Sequence, residues 1–238
     1  MKKNFAVLFC MVLLVETSVF ANTYDFSQCG SVKAITEYST NTTIDMMDTV
    51  TFGSYPQSGE TGITKEPIEW IVLEKQENQV LLLSKYILAG KVFDHNLNDE
   101  GAYAKSRIRN WLNDSFYQMA FSTNEQNKIS DTLVDGTCND KVFLLSGPEC
   151  DQYFGFANTY DSLGTNQLIA TRGTKYSSSG TDDNILDVAD NGNSEFWLRT
   201  PGEFGICAVT SSGWFDWTMS KLPDIRGIGV RPAIWVKY

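Results

Sequence analysis

The chain has 238 residues and a net charge of −10 at neutral pH. A protein this acidic repels phosphate backbones and anionic headgroups, which makes nucleic acid and anionic membrane surfaces poor partners; the favoured reading is that the charge keeps the protein in solution. With 42% apolar residues it can bury a core, and its length fits one domain of about 100–200 residues plus an arm.

Lys2 and Lys3, an apolar run over residues 5–15, and the small-residue site Val19-Phe20-Ala21 form the pattern of a secretory leader, with cleavage expected after Ala21. The apolar run is shorter than the roughly 20 residues a membrane helix needs, and no later segment is apolar enough to insert. The expectation is a protein that is secreted, periplasmic or held at the cell surface. Four cysteines follow the leader: Cys29, Cys138, Cys150 and Cys207. An even count in an exported chain predicts disulfides, and the absence of a CxxC pair argues against zinc. Three pairings are open. A strand followed by a helix between Cys138 and Cys150 would carry them beyond the ~7 Å reach of a bridge, so that pairing is the least favoured.

Residues 22–48 are polar and without periodicity, and read as an arm or linker. Patterning of a single domain begins at Thr49 and runs to Tyr238. Residues 50–55 read as a strand ended by Pro56. Residues 68–73 and 80–84 flank Glu77-Asn78 and predict a hairpin, apolar on both faces and therefore central in its sheet. Ser106 then caps a helix whose apolar face is Ile108, Trp111, Leu112 and Met119, with Trp111 in the core. Ser122 and Glu125 form a capping box opening a short helix through Ile129. Residues 141–145 read as a strand, followed by a second box, Ser146 and Glu149, with Pro148 in the first turn. A long polar segment covers residues 158–194. Strands return at 195–199, 206–211 and 229–237. No internal repeat is visible.

Five blocks occur in order: Phe52-Gly53-Ser54-Tyr55-Pro56-Gln57, Ile68-Glu69-Trp70-Ile71-Val72-Leu73, Ile108-Arg109-Asn110-Trp111-Leu112-Asn113, Phe196-Trp197-Leu198-Arg199-Thr200-Pro201-Gly202 and Gly229-Val230-Arg231-Pro232-Ala233. Together they resemble a widespread bacterial family of exported domains of unknown function. That family in turn resembles the C-type-lectin-like fold of formylglycine-generating enzymes and of diversified bacterial and phage ligand-binding proteins. The resemblance implies an α+β fold: a mostly antiparallel sheet, two or three short helices and long loops.

The oxidases of that fold bind copper through two late cysteines, whereas this chain has only Cys207 in its C-terminal region. His95, the only histidine, sits in a polar loop with Asp94, Asp99 and Glu100. Those carboxylates offer a metal site, but a solvated loop is the favoured reading. Paired carboxylates for glycoside hydrolysis carry no signal in a chain with 29 acidic residues. In the polar segment, Asp187, Asp190, Asn191 and Glu195 gather oxygens of the kind calcium takes, but a plain acidic loop is the favoured reading and calcium the alternative. No cofactor is expected, with calcium at that loop as the alternative.

Trp214, Asp216 and Trp217 lie in the loop-rich region between two strand signals, where a rigid frame can carry a variable binding surface. In the lectin-like relatives this part of the chain lies at or near the ligand face. The two indoles are expected to anchor a ligand, with the carboxylate orienting it; packing in the core is the competing reading. Arg199 and Arg231 read as structural cations pairing with buried carboxylates or carbonyls. The favoured function is an exported binding module for a glycan or protein ligand. An enzyme, either a divergent formylglycine-type oxidase or a hydrolase, and a purely structural surface component are the alternatives.

Overall fold

The computed structural model describes residues 23–25 (backbone only), 46–59, 63–95, 102–155, 169–214 and 220–238. Two sheets share one continuous core. The first contains β1 (Thr23–Asp25), β2 (Thr49–Pro56), β3 (Lys65–Lys75), β4 (Gln79–Ser84) and β11 (Ala233–Lys237), in that order across the sheet. All its pairings are antiparallel except β1 with β2. Within the stretch read as an irregular arm, β1 therefore forms an edge strand. The expected hairpin is β3–β4, with Gln76 donating to the carbonyl of Gln79 at 2.9 Å across the turn. Five of the six β4 residues are buried, as a central strand requires.

The β2–β3 ladder is interrupted by a bulge between Thr51 and Ser54. Gly53 sits there at φ 69, and an added Cβ would fall 2.6 Å from the Phe121 ring and 2.7 Å from the Ala120 carbonyl. Glycine is thus needed both for its backbone and for its size. The backbone groups freed by the bulge are satisfied elsewhere. Gly53 donates to Glu125 Oε1 at 3.0 Å, and the Phe52 carbonyl accepts from the Trp70 indole at 2.7 Å.

The second sheet orders β5 (Ala89–Gly90), β10 (Gly229–Val230), β8 (Phe196–Pro201) and β9 (Ile206–Val209). β8 runs parallel to β10 and antiparallel to β9. The single closing strand expected over 229–237 is split between the two sheets. Pro232 lacks an N–H for a continuous ladder, and its carbonyl accepts from Ser84 at 2.9 Å as the chain steps from β10 to β11. A small pair, β6 (Thr132–Val134) with β7 (Cys138–Asp140), completes the strands. Residues 141–145, expected as a strand, are mostly buried but contribute only an isolated bridge from Phe143 to Ala233.

The helices are short: α1 (Ala102–Lys105), α2 (Arg107–Trp111), α3 (Tyr117–Ala120), α4 (Thr123–Gln126) and α5 (Gly147–Phe154). Ser106 caps α2, and both predicted capping boxes form. α4 stops at Gln126, so Ile129 lies beyond it and bridges Val236. Between α2 and α3 the chain makes a π-helical segment, Leu112–Phe116. The buried positions are Ile108, Leu112, Phe116 and Ala120, spaced by four. A regular α-helix of 3.6 residues per turn would rotate such a row away from the core by about 40° each turn; the widened π turn holds it there. Met119 and Trp111 are consequently only partly buried, and Trp111 is not the core residue that α-helical spacing predicts.

The described part of the polar segment is tied down rather than free. It contains 3₁₀ turns at Tyr176–Ser178 and Thr181–Asp183 and buries Ile169, Tyr176 and Leu186. Bridges join Gly173 to Ile87, Thr171 to Ser194 and Leu186 to Gly227. No disulfide joins any two of Cys138, Cys150 and Cys207, which corrects the disulfide expectation for these three. They are buried in β7, α5 and β9, three separate elements. Burial also pushes the Cys150 thiol well above its ordinary range, as for a packed side chain rather than a reactive one. Cys29 lies outside the described residues. Among the described residues, no helix is long and apolar enough to cross a membrane.

Candidate functional site: a cationic cleft beside Trp111

Arg199 and Arg231, in the C-terminal half, are structural. Arg199, 6% exposed, reaches Asp135 at 2.9 Å and Glu149 at 2.5 and 2.9 Å, and donates to the Leu144 carbonyl at 2.7 Å. Glu149 is at once the capping-box acid of α5 and this ion-pair partner. Arg231 donates to the carbonyls of Ser84 at 2.8 Å and Ile169 at 2.7 Å, with its guanidinium 5.2 Å from the Phe196 ring centroid. Burial pulls its pKa down to about 10, which still leaves it charged at neutral pH. It thus ties β4, the 169 segment and the β10–β11 step together.

A different set of residues surrounds a cleft of about 250 Å³. Four separated segments meet there: 90–95 after β5, α2, the 183–185 turn, and Arg226. Backbone hydrogen bonds fix each one. Lys91 donates to Ile228 and Ile185 to Gly90, both at 3.1 Å, while Phe93 donates to Pro223 at 2.8 Å and Ile108 to Phe93 at 3.1 Å. The Lys91 carbonyl accepts from the buried Trp197 indole at 2.8 Å. Gly90 is required by close approach, since a Cβ there would collide with the Ile185 backbone.

Lys91, Arg107 and Arg226 bring three cations to this cleft, and among the described residues Asp183 is the one lining carboxylate. The Lys91 ammonium lies 5.5 Å from the Trp111 ring centroid and donates to the carbonyl of Asp182. Burial lowers its pKa from the usual lysine value, against the opposing pull of Asp183 and then Asp182. Asp182 and Asp183 both hold left-handed backbone, at φ 53 and 60, which is uncommon for non-glycine residues. The Tyr176 hydroxyl braces this turn by donating to Asp182 Oδ2 at 2.6 Å, and burial together with that bond pushes the phenol up to about 12. His95 lines the cleft with an exposed ring, and its amide donates to Asp94 Oδ1 at 2.6 Å. Asp94 Oδ2 also accepts from the Arg107 amide at 3.2 Å, fixing the start of α2.

Among the described residues, the ligand and calcium candidates singled out from the sequence do not line this cleft. Trp214 is half-buried at the end of a turn in which its amide donates to Thr210 Oγ1 at 3.1 Å and its carbonyl accepts from Thr210 at 2.8 Å. Asp216 and Trp217 lie outside the described residues, as do Asp99 and Glu100. Of the proposed calcium ligands, Glu195 pairs with Lys221 at 3.0 Å, and Asn191 donates to the Ser211 carbonyl at 3.1 Å. Asp190 is exposed, and the Asp187 carboxylate packs against Gly227. Among the described residues no three His, Cys, Asp or Glu side chains gather closely enough to hold a metal ion. The cleft cations Lys91, Arg107 and Arg226 carry no motif. Trp111 did stand out in the sequence, but as core.

A mixed α+β domain with mostly antiparallel sheets and a cationic cleft is the class that this geometry defines. Residues 77–238 match the family model described as Domain of unknown function (DUF6273), and the protein belongs to that family. No curated protein and no solved structure matches the chain.

Proposed function

We propose that the protein is an exported binding module of C-type-lectin-like fold that holds a glycan in the cleft beside Trp111. The carrying observation is that four segments converge to set a partly exposed indole and several polar side chains around one cavity of about 250 Å³. That volume suits a single sugar ring, whereas a protein partner needs a face of about 800 Å². Arg226 belongs to the loop-rich region 202–226, the same stretch of sequence in which Trp214, Asp216 and Trp217 stand as further candidate ligand contacts. The leader pattern at residues 2–21 supports export. The C-terminal strand that closes onto the hairpin sheet supports the lectin-like reading.

The test is a glycan array probed with the secreted protein and with Trp111→Ala. The native protein is expected to bind a defined subset of glycans. The variant should lose that binding while keeping a cooperative thermal transition. An array with no glycan bound, or full binding by Trp111→Ala, overturns the assignment.

A further inference from the structure

The chain contains six arginines. Four have partners that account for them: Arg109 with Asp140 at 2.6 Å, Arg172 over the Tyr86 ring, Arg199 with Asp135 and Glu149, and Arg231 with its carbonyls. The side chains of Arg107 and Arg226 have none among the described residues, and both line the cleft. Lys91 is the third cation. Cations gathered around one small cavity repel each other, and an acidic chain has many carboxylates that could have been placed between them. Only Asp183 is.

We infer that the cleft takes an acidic sugar, a hexuronate unit whose carboxylate is held between Arg107 and Arg226. This rests on the glycan-binding reading above and adds the charge class of the ligand. A planar guanidinium presents parallel N–H groups that match a carboxylate, so arginine suits this recognition better than a point charge. The Lys91 ammonium adds to the same field. Trp111, Ile108 and Ile185 provide an apolar wall for the ring. Asp183 supplies the complement: its carboxylate accepts hydrogen bonds from sugar hydroxyls and repels a bare anion. The combination therefore selects an anion that also carries hydroxyls, not inorganic phosphate.

Isothermal titration with galacturonate and glucuronate, their neutral parent hexoses, inorganic phosphate and glycine tests the assignment. At least one uronate should bind tenfold or more tightly than its parent, weakening as salt rises. Arg107→Ala and Arg226→Ala each remove an exposed side chain without a partner, so both variants should stay folded and lose affinity tenfold or more. Tighter binding of phosphate or glycine than of either uronate overturns the inference. A neutral hexose bound as well as its uronate, with affinity unchanged in both arginine variants, overturns the acidic specificity and leaves the glycan-binding reading standing. Absence of binding by every sugar overturns both.

Discussion

Lys91 concentrates the cleft's chemistry in one side chain. Its ammonium is partly withdrawn from water, and that burial lowers its pKa below the ordinary 10.5 despite Asp183 and Asp182 nearby. In the unfolded chain the amine keeps its proton to higher pH than in the folded protein. The stability it contributes is therefore present above the unfolded value and is lost as pH falls through the lowered folded value. Anion binding runs the other way, because it needs the charged form. Affinity for a uronate should fall as pH rises through the folded pKa of Lys91, before exposed lysines lose charge. NMR titration of the labelled lysine side chain, run beside affinity measurements, checks this. A Lys91 midpoint at or above 10.5, or affinity that holds level through the observed midpoint, would count against it. Lys91→Arg should carry binding to higher pH, since a guanidinium keeps its proton there.

The helical element between Ser106 and Ala120 is where α-helical periodicity misreads the structure. The apolar residues Ile108, Trp111, Leu112 and Met119 do share a face on a 3.6-residue helix, but the protein buries Ile108, Leu112, Phe116 and Ala120 instead. Phe116 is 1% exposed and packs against Tyr55, Trp111 and Phe121 at ring distances of 5.0, 5.4 and 6.0 Å. Phe116→Ala should cost about 3–5 kcal/mol, as truncation of a packed aromatic does. The partly buried Trp111→Ala should cost less, about 1–2 kcal/mol for incomplete burial. Denaturant unfolding of the two variants settles the order; a larger loss for Trp111 would restore the α-helical face. Local features were legible from the sequence because their partners are near in the chain: both capping boxes, the β3–β4 hairpin, and Ser106 as an N-cap. The structural roles of Arg199 and Arg231, pairing with carboxylates and carbonyls, were also anticipated. The π segment was not, because one widened turn leaves no composition signal. The step from β10 to β11 was only half legible: Pro232 marks a break, but which sheet each half joins depends on partners some 140 residues away. The cleft was illegible for the same reason, being assembled from four segments whose cations stand out only when their missing partners are counted in three dimensions.

At the scale of the whole molecule, the family match and the folded unit have different limits. The match begins at residue 77, within the turn between β3 and β4. Cutting there would strip β4 of its neighbour in the sheet and remove the fully buried Val50, Phe52, Ile68, Trp70, Val72 and Leu73. It would also break ties from the hairpin sheet to distant elements: Gly53 to Glu125 at 3.0 Å, the Gln57 carbonyl to the Tyr176 amide at 3.0 Å, and Glu74 to the Tyr153 hydroxyl at 2.5 Å. Burial of that many large side chains outweighs the modest net stability of a domain, about 5–15 kcal/mol. A bare β4 would in addition present an apolar edge open to association. A fragment of residues 77–238 should therefore fail to unfold cooperatively and should associate at micromolar concentration, whereas residues 46–238 should give a single sharp transition. Circular dichroism melts with sedimentation velocity on both fragments make the comparison. A monomeric, cooperatively melting 77–238 fragment would show that β2 and β3 are dispensable, and that the core closes on β4 and β11 alone.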